Sequence, residues 1–503
     1  MDSPDPEKKI SPGAISNSDK STDLEKFGSD PEKHSGRDDA RGHHHHHDAD
    51  DDDDDDDGDH DSDTSNDLDA GEIQPVQSRA QSIINRVLST VASTHSINPG
   101  PPPDGGWSAW VTAICAHLIV MNSWGFINSF GIFQTYYADL LNLPPSTISW
   151  IGSTQVFLLF LIGTVAGRLT DAGYFRIILA GGSILQLLGI FSASFASTYA
   201  QFLLAQGICM GLANGFLFCP TIATLSTYFS SKRSLAIGIG ACGSATGGVI
   251  FPLIARFLIP RAGLAWTLRA IGFVQLVGLV FCNFFLRQRV PPRKAGPFVD
   301  WAAFRTLEYT FYAVGAFFLF LGVYFPFYFL ASFATSQIKP TMSYENSLNL
   351  LLLLNAVGAP GRLIPNHIAD KVGVVNVLIP VCLISAIVVF GWIAVVDSAG
   401  LYAWSVFYGM VGGGIQGLFP AGLSSLTDDP RKQGTRIGMV FTIVSFATLI
   451  GPPIAGALIQ AADGRYFGAQ TFAGGCLLIG MGFMIAARMA RSKKTRRGWK
   501  DKM

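Results

Sequence analysis

One cation stands where cations are expensive. Arg362 lies inside an apolar run, eight residues before Asp370, which at 1.5 Å per helical residue puts it about 12 Å below that acid. A guanidinium at such depth needs an acidic partner, backbone carbonyls or an anionic ligand. No acid occupies Gly358 or Pro365, the neighbouring positions on its own helix. Arg362 is therefore a candidate ligand or gate contact, the alternative being a structural cation held by carbonyls.

Two further clusters can do electrostatic work. Gly167-Arg168-Leu169-Thr170-Asp171-Ala172-Gly173 and Asn366-His367-Ile368-Ala369-Asp370-Lys371-Val372-Gly373 each put an acid beside basic residues at the end of an apolar segment. A rim carboxylate can pair with a cation on a neighbouring helix in one conformation and release it in another, which makes a bistable gate. Arg168, Asp171, Asp370 and Lys371 are gate candidates, together with Lys232 and Arg233 in a third loop.

Softer candidates for lining a polar cavity are Asn122, Asn128, Gln155, Gln186, Asn214, Asn355 and Gln416. For any one of them the competing role is interhelical packing. His117 is either a protonation site or a backbone hydrogen-bond partner. Aromatics between Phe317 and Phe333, among them Tyr324, Phe325, Phe327 and Tyr328, either stack a planar ligand or face lipid. Gly207, Gly211 and Gly215, mirrored by Gly409, Gly413 and Gly417, and also Gly243 with Gly247, let helices approach closely. The seven cysteines all lie in apolar segments and read as packing residues. No nucleophile constellation, phosphate loop or metal-ligand spacing appears, so no catalytic residue, metal or cofactor is expected, and no enzyme.

The elements that must position these residues follow from composition. With 54 Gly, 37 Phe and only 15% charged residues in 503, the chain suits a bilayer. Apolar runs of the length that crosses about 30 Å of hydrocarbon recur about twelve times, at 107–136, 149–167, 176–196, 201–228, 234–257, 266–287, 307–333, 346–368, 374–396, 402–426, 435–460 and 468–489. Pro220, Lys232, Gly238 and Pro252 recur at a constant offset as Pro420, Lys432, Gly438 and Pro452, so the chain reads as two related six-helix halves. The expected fold is an all-α polytopic membrane protein, with halves at 101–287 and 307–489 and a linker at 288–306. Lys and Arg gather in the loops on one side, which predicts that both termini are cytoplasmic.

Before Pro101 the chain changes character. Residues 1–100 are expected to form a disordered acidic cytoplasmic tail, too poor in apolar residues to fold. Its His43–His47 and Asp50–Asp57 runs read as a solvated tract, the alternative being weak metal binding. The spacing at 76–92 predicts an interfacial amphipathic helix, against a weakly helical linker. Residues 490–503 form a basic cytoplasmic tail.

Asp104-Gly105-Gly106-Trp107, followed by Trp110, resembles the signature that enters the first helix of the monocarboxylate transporter family of the major facilitator superfamily, its fungal branch in particular. Tyr228-Phe229-Ser230-Ser231-Lys232-Arg233-Ser234-Leu235-Ala236-Ile237-Gly238 is similar to the signature entering that family's fifth helix. Physically, Asp104 can cap the first helix, the glycines permit a tight start, and the tryptophans suit the interface. The family's proton-coupled lactate carriers have a lysine where this chain has Asn128, and an aspartate where it has Gly358; the arginine matching Arg362 is kept. That pattern argues against a lactate–proton mechanism built on those residues.

The resemblance implies a secondary-active carrier of a small organic solute that works by alternating access, exporting or importing a fungal metabolite at the plasma membrane. Its expected partners are the solute and membrane lipid, with no nucleic acid. One alternative is proton-linked monocarboxylate uptake, which adds protons; another is a non-transporting nutrient receptor that signals through the acidic tail. The substrate-binding candidates are Arg362, Asn128, Asn122, Asn355 and Gln416.

Overall fold

The computed structural model describes residues 100–143, 145–293 and 297–495. The acidic tail, the proposed interfacial helix at 76–92 and the last residues of the basic tail lie outside the described residues.

Among the described residues the chain is helical throughout, with no strand. Among these residues nine stretches are long and apolar enough to cross a membrane, and two of them, Thr147–Ala193 with 47 residues and Arg233–Phe285 with 53, are double. These turn back at Gly173 and Gly263, whose φ of 96° and 75° an L side chain rarely adopts. With the glycine-rich Ser398–Ser425, nine stretches, two of them doubled, make twelve crossings.

In chain order these are α1 (106–141), α2 (145–169), α3 (Phe175–Ala193), α4 (Tyr199–Tyr228), α5 (233–262), α6 (264–285), α7 (307–336), α8 (Tyr344–Val372), α9 (374–394), α10 (Ser398–Ser425), α11 (Gln433–Ala461) and α12 (Phe467–Thr495). They form two six-helix halves. Most expected boundaries differ by a few residues. The largest shifts have local causes. The first helix runs on to Leu141, where Asn142 turns left-handed at φ 50° and stops it. The last continues past Met489 to Thr495, because Glu308 at the start of α7 takes Arg491 at 3.1 Å and Lys494 at 2.8 Å.

Glycine stripes set the packing inside and between the halves. A Cβ on Gly211 would lie 3.1 Å from Gln155 Cα in α2, and one on Gly413 would lie 2.7 Å from Gly358 O in α8. The repeat thus places α4 on α2 as it places α10 on α8. Between halves, a Cβ on Gly167 would fall 2.0 Å from Gly434 O, and one on Gly438 2.1 Å from Gly163 O. Backbones of α2 and α11 therefore touch without side chains between them.

Candidate functional site

Three layers connect the halves. At the end of the bundle that carries the basic loops, Asp171 follows α2 and reaches across to the start of α11. Its Oδ1 accepts the Gly434 N–H at 3.0 Å, and its Oδ2 accepts the Thr435 N–H at 2.7 Å and hydroxyl at 2.6 Å. Asp370, near the end of α8, does the same for α5, taking the N–H groups of Ser234 at 2.8 Å and Leu235 at 3.0 Å. Each carboxylate meets orphan donors and the positive end of a helix dipole in the opposite half. From sequence a cation is the expected partner; the hydrogen-bond partners are helix N-termini instead, because the starts of α5 and α11 present N–H groups that have no acceptor within their own helices. Cations stand close by, with Arg293 beside Asp171 and Arg233 beside both Asp370 and Asp104.

Burial pushes the Asp171 carboxyl up to about 6, against the pull of the Thr435 and Gly434 hydrogen bonds and the Arg293 charge. The interhalf linker seals the same end. Arg293 donates its backbone N–H to Asp171 O at 2.7 Å, and Asp300 holds Arg436 at 3.1 Å and Lys432 at 3.4 Å. Arg168 is buried and donates to Arg293 O at 3.4 Å, whereas Lys232 and Lys371 are exposed.

In the middle layer lies a narrow cavity, lined from both halves. Trp124, Phe160 and Phe218 face it from the first half, and Phe320, Tyr324 and Phe419 from the second. Beside the Tyr324 hydroxyl its polar side chains are Ser244, Gln416 and Arg362, and among the described residues no carboxylate lines it. Arg362 is 1% exposed and donates through Nη2 to Gln416 Oε1. The amide Nε2 of Gln416 is buried with no hydrogen-bond partner, an arrangement that costs about 1–3 kcal/mol until an acceptor arrives. Glycine makes room for the guanidinium: a Cβ on Gly358 would lie 2.5 Å from Arg362 Nη1.

In the third layer, towards the far end, Asn128 donates to Asn355 Oδ1 at 3.1 Å, and Arg256 to Asn349 Oδ1 at 3.1 Å. These bonds join α1 and α5 to α8.

Twelve helices in two mirrored halves around such a cavity find their counterpart in sequence. Residues 113–452 match the Major Facilitator Superfamily model. The chain belongs to the major facilitator superfamily. As a member it is an integral membrane transporter. Relatives include an MFS-type transporter of Gibberella zeae, 50% identical over 85% of this chain and 98% of that one. The aspyridones efflux protein apdF of Emericella nidulans is 37% identical over 77% of this chain and 79% of its own length. Among solved structures, the superfamily transporter FucP in the outward conformation aligns with a TM-score of 0.58 at 17% identity, over 76% of this chain and 98% of that one. A bacterial homologue of the iron transporter ferroportin, in an outward-facing state, aligns with a TM-score of 0.60 at 14% identity, over 75% and 99%. Both likenesses concern the fold.

Within this superfamily member the five substrate candidates separate. Arg362 and Gln416 meet in the central cavity. Asn128 and Asn355 pair in a different recess, nearer the far end, with Gly248 beside them. Asn122 lies within the first half, where its Nδ2 donates to Gln275 O at 3.3 Å and its carbonyl accepts Gln186 and Gln275. The cause is local: α1 widens into a π-turn at Met121–Gly125, which turns Asn122 to α3 and α6 and Trp124 to the cavity. His117 bonds Ile239 O at 2.9 Å, and Gln155 and Asn214 are buried away from the cavity lining.

The signature before α1 also acts differently from expectation. No side chain caps α1. Asp104 instead takes the N–H groups of Ser230 and Ser231 with its Oδ1, and its own N–H reaches Tyr228 O at 3.1 Å. The 104–107 and 228–238 segments therefore hold each other, and Arg289 fastens the first by donating to Gly100 O and Pro101 O. Trp107 is 81% exposed on the outer surface. Of the ring lining, Phe320 and Tyr324 belong to the aromatic stretch singled out from sequence, whereas Trp124, Phe160, Phe218 and Phe419 do not; the one signal for these was Trp124, a tryptophan in mid-span and not at an interface.

Proposed function

We propose that this chain is a secondary-active carrier that exports a small organic anion by alternating access at the plasma membrane, with both termini cytoplasmic. The observation that carries the reading is Arg362. It is a buried, permanently charged guanidinium with no acid in its cavity, and its hydrogen-bond partner is a neutral amide. An anion entering from either side would neutralise it and satisfy Gln416 as well. Asp171 and Asp370 would hold the cytoplasmic end shut while the Asn128–Asn355 pair releases, and the reverse would complete the cycle. Lys232, Arg233, Arg168 and Lys371 would tune that rim electrostatically. Export is favoured by the relative named for efflux of aspyridones. Kinship with monocarboxylate porters rests on the Asp104–Trp107 and Tyr228–Gly238 motifs, while Asn128 and Gly358 separate this cavity from a lactate–proton one.

The test is flux in proteoliposomes given the acidic metabolites of the source organism's culture medium, with accumulated compounds identified by mass spectrometry. At least one anion should accumulate with wild-type protein and not with Arg362→Gln. Accumulation indifferent to that substitution, or none beyond protein-free vesicles, would refute the reading.

A further inference from the structure

We infer that the anion this cavity accepts is a flat aromatic acid, held by its carboxylate edge on Arg362 and Gln416 and by its ring faces between the two halves. The inference rests on the anion reading above and adds the shape of the solute. Six of the lining side chains are aromatic, three from each half. Trp124 and Tyr324 stack on each other across the divide, with centroids 5.9 Å apart and planes 5° from parallel, so each offers a ring face to a ligand once the halves part. Phe160 meets Phe320 edge to face at 5.8 Å, and Trp124 packs against Phe160 at 5.3 Å. Ring walls gain most from a ligand that offers a π face or a ring edge. A puckered chain would bury similar area without that gain.

An aromatic box alone would also suit an organic cation. The unneutralised guanidinium decides against one, because it stands in the same cavity with no carboxylate to offset it. Beside it, the unpaired Nε2 of Gln416 supplies a second donor, so two oxygens on one edge of the ligand are read together. Because Trp124 belongs to α1 and Tyr324 to α7, a ligand ring that replaces their mutual stack ties the halves at the level where they must part and rejoin. Occupancy and conformational change are thereby coupled through the solute's flat face.

The experiment compares 2-naphthoate with its saturated counterpart, decahydro-2-naphthoate, by calorimetric binding to the purified full-length protein. Wild type should bind 2-naphthoate about tenfold more tightly, the size of a good ring contact. Trp124→Leu and Tyr324→Leu, each checked by thermal melting, should bring the ratio to within twofold. Equal affinities in wild type, a ratio that survives both substitutions, or failure of both acids to bind would overturn the inference. Arg362→Gln separates the levels. Weakening of both acids with a ratio of one would remove only the ring selectivity, whereas no effect on either acid would remove the anion site and the proposed function with it.

Discussion

Arg362 donates a hydrogen bond from Nη2 to Oε1 of Gln416 across the α8–α10 interface, so the cavity's guanidinium is oriented by a neutral group and keeps its charge for a ligand. The glycine face of α8 and α10 makes this possible, since Gly358 and Gly413 leave space beside Nη1.

Gly358→Ala should disturb that orientation. The added Cβ would stand 2.5 Å from Nη1, and the flexible guanidinium would swing away from Gln416. Half-saturation for the transported anion should rise roughly tenfold, about the value of one charged hydrogen bond, with the melting temperature little changed. An unaltered half-saturation would mean that the pair does not position the ligand.

The rim acid Asp171 gives a pH dependence. In the closed rim its carboxyl is raised to about 6, while in an open, wet rim it would titrate near 4. Closure therefore takes up a proton: this contribution is fully present below about pH 4 and is lost as pH rises through about 6. Spin labels at Tyr174 and Asp428, both exposed, should report a closed fraction that falls between pH 4 and 7. Asp171→Asn should flatten the profile. A profile of the same slope in that variant would assign the titration elsewhere.

Gly167→Ala should act on the same rim by sterics. Its Cβ would press on Gly434 O at 2.0 Å, and two helix backbones cannot give way as a side chain does. We expect about 1–3 kcal/mol against the closed rim and a drop in transport of tenfold or more in a folded protein. Wild-type transport would show that α2 and α11 need not touch during the cycle.

Asn128 and Asn355 should couple energetically. A cycle of Asn128→Ala, Asn355→Ala and the double variant should give about 1 kcal/mol of interaction in thermal unfolding. Additive single effects would dismiss the pair as a latch.

Much of this was legible in the chain itself. Periodic apolar length marked the helices, and the recurrence of Pro220 and Gly238 as Pro420 and Gly438 marked the halves. Arg362 stood out because charge is costly in hydrocarbon, whatever the packing. What stayed hidden depends on rotation and long-range pairing. Phe320 and Tyr324 look no different in sequence from Phe317 and Phe318, yet the first two line the cavity and the others do not. Asn122 takes the packing role, because a single π-turn directs it to Gln186 and Gln275. Asp104 looked like a cap for the next helix, but its partners are 126 and 127 residues away.

The central claim is that this carrier exports an anion bound at Arg362. The most direct measurement compares the culture medium and cell contents of a strain lacking the gene, complemented with wild type or with Arg362→Gln at equal membrane levels. The account predicts an acid that is retained in the deleted cells, returns to the medium with wild type and stays inside with Arg362→Gln. Full restoration of secretion by Arg362→Gln would contradict it.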